Sequence, residues 1–432
     1  MKEINIGLIG FGTIGCGVVK IFKEKASLLE PKLQAKLILK KICDKNLKIA
    51  RDVKVEPELL TADPYEIIND DSIDIVIELI GGIEPAREFV LAAIAKRKHV
   101  VTANKALLAE CGKEIFAAAK KNSVEVYFEG SVGGGIPVIK ALREGFVVNQ
   151  IENIYGIING TSNYILSQMA RNGINFKNAL KKAQNKGYAE QDPGFDISGV
   201  DSAHKLTILA RMCFSSEISL SDVYVEGIED IELSDIHYAA ELGFSIKLLA
   251  IAKKSGNKLQ IRVHPTLLPK DHLLANVHGV YNAIFINADL VGESLFYGRG
   301  AGQQPTASAV MSDVVSIAEK ISGGSGFNRS AEQSLNPAAL EICPIDDISL
   351  RYYIRILAID QPAVLSKISD ILGRYQISIH SVIQKGRRQE QSVPIVMMTH
   401  EAKEKNLRQA MSLIDELDII KSKSIAIRIE SL

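Results

Sequence analysis

The chain has 432 residues, 47% of them hydrophobic and 24% charged, with Lys+Arg and Asp+Glu equal at 51 each. That length exceeds one ordinary core and asks for two or three domains. A net charge of zero offers no field to gather nucleic acid or an anionic membrane, and no apolar run reaches the ~18 residues of a membrane span.

The first 130 residues alternate short apolar runs with helix-length segments. INIGLIG, KLILKKIC, IDIVIEL, HVVTA and VEVYFE predict five buried strands. Strand–helix alternation of this kind gives an α/β fold, a doubly wound parallel sheet of Rossmann type over 1–130. The N-terminal MKEINIGLIG enters its strand at once, with no signal peptide ahead of it. From 131 to 305 the rhythm becomes α+β. Helices are predicted near 162–172, 176–186, 200–213 and 235–254, among the strands IENIYGII, LQIRVHPTLL, VYNAIFINA and GESLFYG. TASAVMSDVVSIAEKI, 306–321, is a helix of small residues expected to complete the first domain. Residues 322–349 open with SGGSGFNRSAEQSLNPAA and read as a linker. Residues 350–432 follow a ferredoxin-like β-α-β-β-α-β order, with helices starting near Pro362 and Ala402. Behind such a linker this part is expected to fold as a separable module.

Five cysteines (Cys16, Cys43, Cys111, Cys213, Cys343) lie apart, without a CxxC pair, and read as reduced thiols of a cytoplasmic protein. The eight histidines show no HExxH spacing, so no zinc site is expected.

Several motifs carry chemistry. In GFGTIGCG, Gly10, Gly12 and Gly15 have the GxGxxG spacing between a strand and a helix. Such a turn brings backbone N–H groups, here of Phe11, Thr13 and Ile14, to a pyrophosphate. Asp44 ends the second strand, where an acid bonds the ribose of NAD. Lys45 beside it favours the phosphate of NADP, so both nicotinamides remain open. Lys105 in VTANK follows the fourth strand, where ligands of a doubly wound sheet sit. The plain alternative, an ordinary first-turn residue, is disfavoured because a cation there opposes the helix dipole. EGSVGGGIP, 129–137, is a second glycine-rich turn. It suits a hinge between domains as well as a hard cation held by carbonyls.

GYAEQDPGFDISGVDSAHKL, 187–206, packs Glu190, Asp192, Asp196 and Asp201 ahead of Lys205. Asp201 and Lys205 share a helical face beside the apolar stripe Leu206, Leu209 and Cys213. A lysine so placed can act as acid–base. The plain alternative is a solvated ion pair.

Taken together, LIGFGTIG, TANK, EGSVGGGIP, NGTSNYIL (159–166), AQNKGYAEQDPGFDISGVDSAHK and GRGAGQQPTASAV (298–310) resemble the homoserine dehydrogenases that carry a C-terminal ACT regulatory domain. The resemblance runs through essentially the whole chain. It implies NAD(P)-dependent interconversion of L-aspartate 4-semialdehyde and L-homoserine, on the route to threonine, methionine and isoleucine. Lys205 would give a proton to the aldehyde oxygen, with Asp201 as its partner. Glu190 would bind the substrate ammonium, with Tyr188 and Asp196 in the same segment. Lys105 would serve both substrate and cofactor, and Gly302 would approach the cofactor. Glu129, Val132, Gly134 and Ile136 match positions that hold a monovalent cation, usually sodium. The resemblance also implies a homodimer or homotetramer joined through the second domain, and an amino-acid effector, threonine, at the ACT domain.

Two departures stand out. The family's NADP-selecting arginine after the second strand has no clear counterpart in CDKNLKIAR, which leaves NAD and NADP undecided. The Asp-x-Pro-Gly turn of the ACT part reads Asp360-Gln361-Pro362-Ala363 and lacks the glycine's backbone freedom. Two other readings stay open: a nicotinamide-bound amino-acid sensor without turnover, and a dehydrogenase for another amino-acid semialdehyde. Intact Lys105, Glu190, Asp201 and Lys205 speak against the sensor.

Overall fold

A computed structural model describes residues 2–214, 218–323, 340–385 and 392–431. The chain divides into two compact units. The first comprises Met1–Ile154, His204–Asp222 and Tyr281–Ala339; the second comprises Tyr155–Ala203, Val223–Val280 and Leu340–Leu432.

In the first unit six parallel strands form one sheet in the order Leu60–Thr61, Ala35–Cys43, Lys2–Ile9, Ile75–Glu78, His99–Thr102, Val126–Tyr127. Connections reverse direction beside Lys2–Ile9, the place where such sheets bind ligands. Five of these strands match the sequence reading. The sixth, Leu60–Thr61, is two residues long and leaves no periodic signal. Both faces are covered. Ile4, Ile6, Leu8, Ile75 and Ile77 pack with Val310, Val314 and Ile317 of helix Gln303–Ile321 and with Val18 and Val19 of helix Thr13–Leu33. Val76 and Val100 pack with Val90 and Ile94 of Ala86–Ala95 and with Leu107 and Ile115 of Lys105–Asn122. Burial from both sides explains why these strands read as continuous apolar runs.

In the second unit, Phe244–Ser255 and Lys258–Pro269 pair antiparallel along their whole length. The expected helix over 235–254 is therefore corrected. Helix Leu233–Glu241 ends before Gly243, which has φ +87°, and a twelve-residue strand follows. Ile246 to Ala252 are buried without interruption, so no alternation marked them as a strand. Helices Gly160–Asn172 and Phe176–Asn185 lie close to their expected spans, as does Val200–Phe214, whose residues from His204 onward belong to the first unit; the four-residue helix Gly194–Ile197 was not expected.

The C-terminal part is the expected βαββαβ fold: Ser349–Ile359, helix Val364–Arg374, Ile379–Gln384, Ser392–Thr399, helix Glu404–Asp415, Ile425–Ile429. It does not stand apart from the rest of its unit. Ile425–Ile429 pairs with Ser349–Ile359 on one side and, in parallel, with Lys258–Pro269 on the other. Ion pairs reinforce the seam: Arg262 with Glu430 and Arg355 with Asp235 are buried, and Arg428, held within the C-terminal part by Glu404, reaches the partly exposed Glu226. Of the expected linker, 324–339 lies outside the described residues. Glu341–Ile342 forms a short strand on Lys258–Leu259, and Ile345–Asp347 forms a 3-10 turn.

Candidate active site

The glycine turn of the first unit leads into the 21-residue helix Thr13–Leu33, whose first turn carries no acid. Gly10 has φ +105°, and a Cβ there would lie 2.6 Å from the Leu79 carbonyl carbon. At Gly12 a Cβ would meet nothing within 4 Å. The turn is thus forced at Gly10 and open at Gly12, where the positive end of a long helix is presented. This is a fit for a pyrophosphate. Phe11 is buried, and its N–H donates to Asp44 Oδ2 at 2.8 Å, while Asp44 Oδ1 accepts the Asn46 N–H at 2.9 Å.

Arg51, the last residue of CDKNLKIAR, folds back onto this turn. Its Nε donates to Phe11 O at 2.8 Å, its Nη2 lies 3.4 Å from Asp44 Oδ1, and its guanidinium covers the Phe11 ring at 4.6 Å. Arg51 stands eight positions beyond the strand end, so no motif spacing marks it in the sequence.

Lys105 begins helix Lys105–Asn122, capped by Asn104, whose Oδ1 accepts the Leu107 N–H at 3.1 Å. The cap is itself anchored. Asn104 Nδ2 donates to Gly82 O at 2.6 Å, and its N–H donates to Thr102 Oγ1 at 3.0 Å. Thr102 in turn donates to Glu78 at 2.6 Å. Glu78 is fully buried and also accepts the Ile80 N–H at 2.8 Å; burial raises its pKa above the usual carboxylate range. An acid closing the apolar run IDIVIE was the signal for this residue.

Arg211 joins the two lysine-bearing helices. It sits on Val200–Phe214 with Lys205 and donates to Leu108 O and Ala109 O, both at 2.8 Å, on the Lys105 helix. Asp201 and Lys205 are 2% and 8% exposed, so they are not a solvated surface pair.

The 129–137 turn packs against the 298–302 turn. Gly135 N–H donates to Arg299 O at 3.1 Å, and a Cβ on Gly134 (φ +55°) would lie 2.5 Å from Gly300 O. Val132 and Ile136 are buried. The Glu129 carboxylate accepts the N–H groups of Ile139 at 2.9 Å and Lys140 at 2.7 Å, and its own N–H donates to Asp313 at 2.7 Å. Burial, then repulsion from Glu129, pushes the Asp313 carboxyl up to about 8. Among the described residues no three His, Cys, Asp or Glu side chains gather as a metal cluster, so a cation here would be held largely by carbonyls. Gly302 caps helix Gln303–Ile321 with φ +130°.

In the second unit Thr161 and Ser162, from NGTSNYIL, hold the acidic segment. Thr161 Oγ1 donates to Tyr188 O at 2.7 Å, and Ser162 Oγ donates to Asp196 O at 2.9 Å. The Tyr188 and Tyr164 rings meet edge-on at 5.0 Å. Glu190 and Asp192 are exposed. Asn159, which the sequence reading did not single out, donates to Asp196 and Asp201.

Three family profiles match the chain: "Homoserine dehydrogenase, NAD binding domain" over 10–129, "Homoserine dehydrogenase" over 137–315 and "ACT domain" over 352–418. A homoserine dehydrogenase of Neisseria gonorrhoeae is 45% identical over 435 residues, covering 100% of both chains. One of Pseudomonas aeruginosa is 42% identical, again over 100% of both. The crystal structure of a homoserine dehydrogenase from Thiobacillus denitrificans superposes with a TM-score of 0.93 at 44% identity, covering 100% of this chain and 99% of that one. With the glycine turn, the paired lysine helices and the acidic segment all present, the chain belongs to the homoserine dehydrogenase family and is an NAD(P)-dependent oxidoreductase with an ACT domain.

Proposed function

We propose that the chain interconverts L-aspartate 4-semialdehyde and L-homoserine, with Lys205 delivering the proton to the aldehyde oxygen. The nicotinamide supplies the hydride. As charge develops on that oxygen, a cation and a proton must be close by. The observation that carries the proposal is Arg211, which binds the helix of Lys205 to the helix of Lys105. In this reading Asp201 partners Lys205, and Glu190 takes the substrate ammonium with Tyr188 and Asp196 beside it. The Gly10–Gly15 turn, Asp44, Lys105 and Gly302 serve the cofactor. Asp44 and Arg51 at one turn favour use of both NAD and NADP. The oxygen-rich turn at Glu129, Val132, Gly134 and Ile136 suits a hard monovalent cation such as sodium.

The domain limits are taken as 1–130 with helix 306–321, 131–305, a connecting 322–349, and 350–432. The protein is read as a cytoplasmic homodimer or homotetramer, with threonine as the effector at the ACT domain. Nicotinamide absorbance with L-homoserine, under NAD and NADP separately, tests the activity. No change with either cofactor overturns it.

A further inference from the structure

Asn159 stands just ahead of helix Gly160–Asn172 and is 4% exposed. Its Oδ1 accepts the Ser162 N–H at 2.8 Å, which fixes the amide so that Nδ2 faces the other way. From there Nδ2 donates to Asp196 Oδ1 and to Asp201 Oδ2, both at 2.8 Å. These carboxylates come from separate segments, the short helix Gly194–Ile197 and the first turn of Val200–Phe214. Two like charges brought to one point repel unless something of opposite polarity lies between them. The two amide hydrogens of Asn159 fill that place.

We propose that Asn159 is a positioning residue for the reaction, tying Asp201 and Asp196 together so that Asp201 is aimed for Lys205. The inference rests on the catalytic reading of Asp201 and Lys205. Asn159 holds no reacting atom and acts through the two acids. It is neutral, so it orients them without cancelling the charge that the lysine needs beside it. The side chain thus does two jobs with two ends: the oxygen starts a helix, and the nitrogen orders the acids.

The two ends can be separated. Asn159→Ser keeps a good helix cap and loses both donor bonds. Asn159→Asp keeps the cap and the size of asparagine but turns a carboxylate toward two others. Both variants are to be compared with the parent for thermal unfolding, nicotinamide affinity, and kcat and KM with L-homoserine. The expected result is unchanged nicotinamide affinity with kcat lowered ~10–100-fold in the serine variant, the scale of a charge-assisted hydrogen bond. The aspartate variant should be slower still. A residue that only caps the helix or fills space gives the opposite order, with aspartate nearest the parent. That order, or kcat within about twofold of the parent in both variants, overturns the proposal. Lys205→Ala is measured alongside. If it turns over normally, the catalytic reading fails; if it is inactive and the serine variant is normal, only the role of Asn159 fails.

Discussion

The guanidinium of Arg355 holds the carboxylate of Asp235 with two N–H donors, at 2.6 and 3.1 Å. Arg355 is 5% exposed and Asp235 0% exposed, and Tyr353 adds a hydroxyl donor at 3.0 Å. The pair spans from the first ACT strand to helix Leu233–Glu241 within the second unit. Replacing Arg355 by Met should leave a buried carboxylate without its partner and lower stability by about 3–5 kcal/mol. Urea unfolding measures it. For the same reason a chain cut near residue 336 should be markedly less stable, because the buried Asp235 and Arg262 lose their partners together. An equally stable truncated chain would show the seam to be dispensable.

Lys205→Ala should lower kcat by ~10²–10⁴-fold, the usual contribution of a general acid–base group. Nicotinamide affinity, followed by fluorescence, should change little. Near-normal turnover would return Lys205 to a packing role.

Asp44 restrains Phe11, Asn46 and Arg51 together. The parent should accept both nicotinamides with less than ~1000-fold preference, about 4 kcal/mol. Asp44→Ala removes the negative charge while backbone carbonyls still hold the Arg51 guanidinium at the turn, and should move the kcat/KM ratio toward NADP. A move toward NAD would contradict this account.

Ala363 keeps φ +68° at the start of helix Val364–Arg374, so the turn retains its left-handed shape without a glycine. That conformation costs alanine about 1–2 kcal/mol, while glycine brings about 0.5–1 kcal/mol of extra unfolded-state freedom. Ala363→Gly should therefore raise the unfolding temperature modestly. Threonine titrations of both forms would show whether the Ala363 methyl group hinders the effector.

Lys247 is 3% exposed, donating to Asn163 Oδ1 at 3.3 Å and to Val277 O. Burial, with repulsion from Arg171, brings its pKa down to about 7 from 10.5. Between those values the unfolded chain holds more protons than the folded one, so this residue makes stability rise with pH, and its full cost is felt below pH 7. Lys247→Met should be stabilised relative to the parent at pH 7, and the advantage should shrink toward pH 9. Parallel unfolding curves across that range would count against the assignment.

What could be read from the residues depended on how local the cause was. The Gly10 turn and the Asp201–Lys205 spacing are set within one turn of chain, and both were visible. Asn159 was not, because its two acids lie 37 and 42 positions away. Glu78 was visible in principle, as an acid closing an apolar strand, but its meaning depends on Thr102 from the next strand. Phe244–Ser255 was misread because a strand buried on both faces has no alternation to betray it. The joining of the ACT sheet to Lys258–Pro269 rests on partners such as Arg262 and Glu430, and nothing in either segment names the other.

That joining sets a timetable for synthesis. Ile425–Ile429 fills the middle of its sheet, between Lys258–Pro269 and Ser349–Ile359, and Arg262 meets Glu430 across 168 positions of chain. At ribosomal speeds of about 5–20 residues per second, Arg262 waits on the order of 10–30 s for its partner. Through that interval the strand carries an unneutralised guanidinium, and its hydrogen-bonding edge, paired with Tyr224–Val225 at Arg262 and Val263, stays open at Thr266 and Leu267. The second unit can therefore close this seam only after Ile425–Ile429 has been made.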